Sequence, residues 1–346
     1  MKVLFDINHP AHVHFFKNPI AILRERGVEV VITSRDKDVT IQLLQELELE
    51  NQKLSAMRDG KLSLLAELVV RDYRLFKVVR EEKPDVMASV GGVFIAHVGV
   101  LTATPSVVFY DTENAKLQNA ITYPFASRVC VPACYESWLP LLKGVRYNGY
   151  HELSYLHPHY FEPSYQVALD NGLAPEVDNF FVRLVSWRAN HDFGENGWTP
   201  ELLDQVIAKL NPIGNVVIST EASLPERFSG YLYRGKKNEL HHVLGNCRLF
   251  IGESATVASE SAVMGVPAIY AANTGRGYTN EQEIRYQLVK NIFRFNWPLL
   301  SAAIDELLAS ASSDYEKKRA QLIDDTIDVA EFVADTLQNY PHRVGE

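Results

Sequence analysis

The chain has 346 residues, nearly half of them hydrophobic, which is enough for two domains each with its own core. A formal net charge of -9 argues against a nucleic-acid binder, which carries a basic face. Cys130, Cys134 and Cys247 form neither a CxxC pair nor a disulfide framework, the opening residues do not read as a secretory leader, and no run approaches the ~20 apolar residues of a membrane span; a cytoplasmic protein is expected, with peripheral membrane contact left open.

The first half alternates strands and helices. Val3 to Ile7 is a short apolar run of the kind a buried parallel strand shows, and Asn8-His9-Pro10 follows it. Val13, Phe16, Ile20 and Leu23 recur at helical spacing, Gly27 supplies a C-cap, and Val28 to Thr33 reads as the next strand. Helices are predicted at Val39–Leu49, Leu62–Val79 and Phe94–Leu101. Strands are predicted at Asp85–Val90, Ser106–Tyr110 and Arg128–Val131, the last followed by a helix ending near Gly144. Residues 147–163, rich in Tyr, His and Pro, carry no period and read as an interdomain connection.

A second alternating series follows. Strands are predicted at Phe180–Val185, Val216–Ser219, Arg248–Ile251 and Pro267–Tyr270. Helices are predicted from Thr199-Pro200 to Leu210, at Asn238–Leu244, at Ala255–Met264, at Pro298–Ala309 and at Tyr315–Leu337. The expected organisation is α/β: a Rossmann-like domain over 1–150, a second over 151–325, and a C-terminal helix over 326–346 that can pack back on the first. Ligands bind beyond the carboxyl ends of such strands, so the candidate loops are 8–14, 89–94, 110–116, 186–197, 219–224, 252–256 and 271–280.

The strongest chemical signal is Phe250-Ile251-Gly252-Glu253-Ser254-Ala255-Thr256, continuing through Ser259-Glu260 to Gly265-Val266-Pro267. Small residues at a strand-to-helix turn let phosphates approach the backbone, where the free N–H groups of the helix start hold the negative charge. A carboxylate further along, Glu260, can take a hydrogen-bond pair from a ribose diol. The competing reading makes Ser254, Thr256 and Ser259 cap and packing residues and Glu260 a solvated charge.

This segment resembles the donor-binding motif in the C-terminal half of GT-B enzymes, notably the N-acetylglucosaminyltransferase that makes lipid II. The resemblance puts the nucleotide diphosphate on Ser254, Ala255 and Thr256 and the ribose on Glu260. His12-Val13-His14-Phe15 resembles that enzyme's Gly-His loop. Gly91-Gly92, Thr104-Pro105 and Asp111-Thr112-Glu113-Asn114 are similar to its Gly-Gly and Glu-x-Asn segments. The first loop departs from it, with Asn8-His9-Pro10-Ala11 in place of a glycine run, so lipid II chemistry does not carry over. As a whole the chain resembles an uncharacterised GT-B-like family, domain of unknown function 354, with Gly149-Tyr150-His151-Glu152, Ser186-Trp187 to His191-Asp192 and Glu239-Leu240-His241-His242 among its features. The resemblance implies a GT-B architecture, two Rossmann-like domains with parallel sheets facing across a cleft.

His9, His12 and His14 cluster after the first strand, and His12 or His14 could take a proton from an acceptor hydroxyl; the resemblance favours His12. Taken singly, each is more simply a cap or packing residue. Arg188 is suited to a diphosphate, with Trp187 beside it, and Arg276 is a weaker candidate of the same kind. Glu113 and Asn114 could contact acceptor or sugar, Glu221 is ambiguous, and one of His241 and His242 could face the base.

The expected function is transfer of a sugar from a nucleotide-sugar, UDP-linked by resemblance, to a hydroxyl of a glycan or lipid-linked acceptor in polysaccharide or glycolipid synthesis. Catalysis is expected at His12 and Glu113. Donor binding is expected at Arg188, Gly252, Ser254, Ala255, Thr256, Ser259 and Glu260, with no metal and no cofactor beyond the substrate. One alternative is UDP-N-acetylglucosamine 2-epimerase chemistry, faintly suggested by Arg188–Gly194, although Gly91-Gly92 stands where such an enzyme carries a catalytic Asp. Another is a metal-dependent hydrolase using His12-x-His14, His157-x-His159 and His191-Asp192. A non-catalytic nucleotide-sugar binder is a third. A dehydrogenase is disfavoured, because no GxGxxG follows the first strand.

Overall fold

The computed structural model describes residues 1–56, 61–185, 198–220, 223–294 and 296–342. The chain forms two compact units, one of Met1–Tyr155 with Ile327–Glu346, the other of Leu156–Thr326.

The first unit runs β1 (Lys2–Ile7), α1 (Pro10–Glu25), β2 (Glu29–Asp36), α2 (Thr40–Glu46), β3 (Gln52–Ala56), α3 (Lys61–Glu82), β4 (Val86–Val90), α4 (Val93–Thr102), β5 (Ser106–Phe109), α5 (Lys116–Thr122), β6 (Arg128–Pro132), β7 (Gly144–Tyr147) and α6 (Leu153–Leu156). The second runs α7 (Tyr165–Asp170), β8 (Asp178–Leu184), α8 (Pro200–Leu210), β9 (Gly214–Thr220), α9 (Leu240–Gly245), β10 (Leu249–Gly252), α10 (Ala255–Val263), β11 (Ala268–Ala271), α11 (Gly277–Ile284), β12 (Val289–Ile292), α12 (Trp297–Ala309) and α13 (Ser312–Asp325). The last helix, α14 (Val329–Gln338), belongs to the first unit.

Each unit is built on one parallel sheet. Among the described residues the first has seven strands in the order β3-β2-β1-β4-β5-β6-β7, and the second has five in the order β12-β11-β10-β8-β9. This is the α/β class that the sequence predicts. The central strands are covered on both faces: Val3, Leu4, Phe5 and Ile7 of β1 are fully buried, as are Leu249, Phe250 and Ile251 of β10. Against β1, helix α1 turns Val13, Phe15, Phe16, Ile20 and Leu23 inward.

Two helices stop by the same device. After α1, Gly27 takes a positive φ of 77°, its amide donates to the Arg24 carbonyl at 2.9 Å, and the Val28 amide donates to Leu23 at 2.9 Å. After α10, Gly265 has φ 84°, with Gly265 bonded to Ala262 at 3.0 Å and Val266 to Ser261 at 2.9 Å. Both are Schellman caps, and the left-handed residue is glycine because a Cβ there would be strained.

Three local expectations fail. Residues 133–143 form no helix; turns lead from β6 into β7. The predicted helix Tyr315–Leu337 is two helices, because Asp328 accepts from the Ala330 and Glu331 amides at 3.0 and 3.1 Å and starts α14 afresh. Tyr147, read as the start of the connection, closes β7. Within the first unit α14 lies against α1, where Arg26 bonds Asp335 at 2.6 Å and also pairs with Glu331. Among the described residues no helix is long and apolar enough to cross a membrane.

Candidate functional sites of the two units

In the second sheet the chain leaves β8 towards β9 on one side and returns as β10 on the other. Loops diverge at such a reversal and leave a crevice beyond the carboxyl ends of the strands. Gly252 ends β10 there. A Cβ on it would stand 2.3 Å from the Arg183 carbonyl oxygen, so close packing of β8 alone requires glycine. Glu253 Oε2 accepts from the Val185 amide at 2.9 Å and ties the two diverging loops together.

Ser254 is the N-cap of α10, its Oγ accepting from the Val257 amide at 3.3 Å. The amides of Ala255 and Thr256 precede the first intrahelical bond, Ala258 to Ser254, so helix geometry gives them no carbonyl partner. Thr256 is exposed at this end, Ala255 buried. Two amides and the positive end of the helix dipole make a start suited to an anion.

The remaining donor candidates turn inward. Ser259 is fully buried and accepts from Gln282 Nε2 at 2.8 Å. Glu260 is not a solvated charge: it is buried, with Oε1 2.9 Å from His241 Nε2 on α9. His242 Nδ1 accepts from the Ser164 amide at 3.0 Å and rests on Phe161, with ring centroids 4.8 Å apart. The Arg276 guanidinium curls onto its own loop, donating to the Gly275 carbonyl at 2.8 Å. Arg188, with Trp187, His191, Asp192 and Glu221, lies outside the described residues.

In the first sheet the order reverses between β1 and β4. Asp6, near the end of β1, is buried and accepts from Arg71 Nη2 at 2.6 Å, Thr33 Oγ1 at 2.8 Å and Asn8 Nδ2 at 2.9 Å. Above this network His9 caps α1, its Nδ1 accepting from the Ala11 amide at 3.2 Å. His12 Nδ1 accepts from the Asn8 amide at 3.3 Å. Burial pushes the His12 pKa well below the ordinary histidine value, and the positive charge of His9, His151, Lys37 and Arg71 adds to it. Burial, then Lys37, pulls His9 down to about 4. A neutral ring whose Nδ1 accepts carries its proton on Nε2. His12 therefore presents an N–H donor, and a proton-accepting role for it requires the other tautomer.

Gly91 and Gly92 follow β4 with φ of 75° and 56°; a Cβ would meet Gln118 Nε2 at 2.4 Å in the first case and Val108 Cγ2 at 2.4 Å in the second. Glu113 lies half-buried in the turn before α5, with Asn114 exposed beside it. His14 packs on Tyr155, ring centroids 5.5 Å apart. The His157 ring sits 4.3 Å from that of His159, whose amide donates to His157 Nδ1 at 3.3 Å.

One residue that the sequence did not single out as a site is His151. It is 8% exposed, with Nδ1 3.5 Å from Asp111 Oδ2 and its ring 4.4 Å from that of Phe15. The signal was a polar stretch just beyond a strand, but β7 itself was not recognised.

Two parallel α/β units, each gathering polar groups where its strand order reverses, define a fold of the GT-B type. The chain belongs to the family described as protein of unknown function (DUF354), whose model matches residues 1–337. An uncharacterized protein of Methanocaldococcus jannaschii is 21% identical over 282 residues, 78% of this chain and 81% of that protein. Among solved structures, UDP-GlcNAc 2-epimerase from Neisseria meningitidis bound to UDP-GlcNAc is 10% identical with a TM-score of 0.67, covering 98% of this chain and 98% of that one. MurG from Acinetobacter baumannii is 13% identical with a TM-score of 0.62, covering 98% of this chain and 99% of that one. At these identities the likeness to solved structures is one of fold.

Proposed function

We propose that the protein is a glycosyltransferase that moves a sugar from a UDP-sugar to a hydroxyl acceptor, with the nucleotide held by the second unit and proton transfer handled by the first. The observation that carries this reading is the start of α10: it lies at a strand-order reversal, its cap Ser254 is already bonded to Val257, and the Ala255 and Thr256 amides are left for an anion. The bound UDP-GlcNAc of a neighbour in fold supports a uridine nucleotide. In the transition state the departing diphosphate gains negative charge, and a helix start stabilises that charge without reorganising. Glu260 acts on the nucleotide through the position of α10, since one carboxylate oxygen is engaged by His241. Epimerase chemistry of the kind that uses an acid after β4 is disfavoured by the Gly91-Gly92 pair, which carries no acid there and holds a left-handed backbone that a side chain would strain.

Calorimetric titration of UDP, GDP, CDP and TDP into the full-length protein tests this. UDP is expected to bind selectively. Thr256→Glu places a carboxylate at an exposed first-turn position, where it favours the helix but repels a phosphate. It is expected to weaken UDP at least about tenfold with thermal stability kept, since about 1.4 kcal/mol corresponds to tenfold. Absence of binding for all four nucleotides by folded protein would remove the reading. With UDP bound, product analysis after incubation with UDP-GlcNAc separates transfer from epimerisation.

A further inference from the structure

The first unit holds a second imidazole whose surroundings differ from those of His12. His151 follows β7 by a short turn, and Asp111 follows β5, so both stand at the carboxyl edge of the seven-stranded sheet. The His151 ring is fixed by packing, with the Phe15 ring at 4.4 Å and the parallel Tyr147 ring at 6.4 Å. Asp111 Oδ2 stands 3.5 Å from its Nδ1, and Asp111 Oδ1 in turn accepts from Thr112 Oγ1 at 3.0 Å. Nε2 of His151 is buried and, among the described residues, makes no hydrogen bond. A buried polar atom left without a partner is costly and uncommon, and a catalytic role is one of the few reasons for keeping it.

The two imidazoles thus sit in surroundings that favour opposite tautomers. An amide donor at Nδ1 leaves His12 with its proton on Nε2. A carboxylate facing Nδ1 draws the His151 proton there and leaves a lone pair on Nε2. The two rings are near enough for positive charge on one to oppose it on the other, which disfavours protonating both.

We infer that His151, oriented by Asp111, is the proton acceptor of the reaction, and that His12 serves as an N–H donor beside it. This rests on the glycosyl-transfer reading. The acceptor hydroxyl gives its proton to His151 Nε2. The oxygen's electron pair forms the new bond to the anomeric carbon, and the bond from that carbon to the diphosphate oxygen breaks with its pair leaving on UDP. Asp111 does not take the proton; it fixes the tautomer and stabilises the imidazolium, the division of labour of an Asp–His pair in hydrolases.

Long-range 1H–15N correlation spectra of the full-length protein, labelled on histidine and assigned with His12→Gln and His151→Gln, read the tautomers directly. The Nδ1–H form at His151 with the Nε2–H form at His12 is expected; the Nε2–H form at His151 overturns the assignment whether or not a nucleotide binds. With UDP-GlcNAc as donor, His151→Gln is expected to slow UDP release at least about 100-fold while UDP affinity stays within about twofold. Asp111→Asn keeps His151 in place and covers the case in which the Gln variant misfolds. It is expected to slow release with UDP affinity again unchanged and to shift His151 towards the Nε2–H form. Release within about twofold of wild type in both folded variants would overturn the role. Failure of wild type to bind any nucleotide would instead remove the parent reading.

Discussion

The buried pair Asp6–Arg71 is the firmest point at which to test how the first site is held. The two side chains are 1% and 0% exposed and meet at 2.6 Å. Asp6 also accepts from Thr33 and Asn8, while Arg71 Nη1 reaches Ser55 Oγ at 2.9 Å and the guanidinium lies 4.7 Å from the centroid of the Phe94 ring. Asp6→Asn keeps the shape and removes the charge. Arg71 then remains buried with only neutral partners. Two charges about 4 Å apart at an effective dielectric of 20 interact by about 4 kcal/mol, and breaking a buried pair by neutralising one partner costs about 3–5 kcal/mol. Against a total stability of about 5–15 kcal/mol for a domain, urea unfolding of Asp6→Asn should show a loss of about 3–5 kcal/mol at unchanged m-value. The double variant Asp6→Leu with Arg71→Met leaves no stranded charge and should lose less than Asp6→Asn alone. A loss below about 1 kcal/mol in the single variant, or a double variant as damaged as the sum of its two single changes, would refute the reasoning. The pair would then behave like a solvated surface bridge despite its burial. The same change weakens one of the bonds that hold Asn8 beneath the His9–His12 turn, so the Nδ1 bond of His12 should loosen with it.

Acid should destabilise the fold through the same turn. His9 and His12 bind protons less readily when folded than the ordinary 6.5, His9 only near 4, so below 6.5 the unfolded chain holds more protons and stability falls as pH drops from about 6.5 towards 4. Urea midpoints at pH 7.5, 6 and 5 should decline in wild type and decline less in His9→Gln; equal slopes would show that His9 is not responsible. Gly92→Ala should cost clearly more than Gly27→Ala. Both glycines have positive φ, for a strain of about 1–2 kcal/mol each, but a Cβ at 92 also strikes Val108 while one at 27 meets open space. Equal thermal shifts would contradict that ordering. Glu260→Gln and His241→Ala should be non-additive in unfolding free energy by about 1–3 kcal/mol, because the two groups share one buried bond; an additive cycle would mean that the bond contributes nothing.

The sequence exposed the interior of this fold better than its margins. Strands β1, β4, β5, β8, β10 and β11 run through the middle of their sheets, and burial on both faces writes into each a short run of mostly apolar, buried residues. Three edge strands, β3, β7 and β12, went unread, because a strand covered on one side needs no such run: in Gly144 to Tyr147 two half-buried positions and an exposed one precede the one buried residue, a tyrosine. The apolar spacing of 133–143 misled for a related reason. Leu141 and Leu142 are 95% and 87% exposed, so their pattern records no buried face, and Pro140 interrupts any helix. Caps were legible wherever glycine or a Thr-Pro pair marked them, as at Gly27, Gly265 and Thr199-Pro200. The break before Asp328 was not, since an Asp inside a helical pattern reads equally well as a surface charge.

The same limit separates what was legible in the two sites. Residues 252–260 are contiguous, and a strand, a small-residue turn and a helix start can be read in one window. The bond between Glu260 and His241 spans 19 positions and two helices, so it existed only after folding. His151 and Asp111 lie 40 positions apart and meet because β5, β6 and β7 are neighbours in the sheet.

The polar side chains of α10 and those at the carboxyl edge of the first sheet are spent differently. On α10 and its cap, Ser254 is bonded to Val257, Ser259 to Gln282 and Glu260 to His241, so what the helix start offers a ligand is backbone. At the carboxyl edge of the first sheet, Asn8 Oδ1 and His151 Nε2 are buried without hydrogen bonds among the described residues, while the atoms on the far side of each group are held, Asn8 Nδ2 by Asp6 and His151 Nδ1 facing Asp111. A site that only holds a charged group gains from saturated side chains, because nothing has to rearrange when the ligand arrives. A site that moves a proton must keep a lone pair available and bear its cost in stability. On the glycosyl-transfer reading the contrast fits binding at the second unit and chemistry at the first, whatever the sugar or its acceptor.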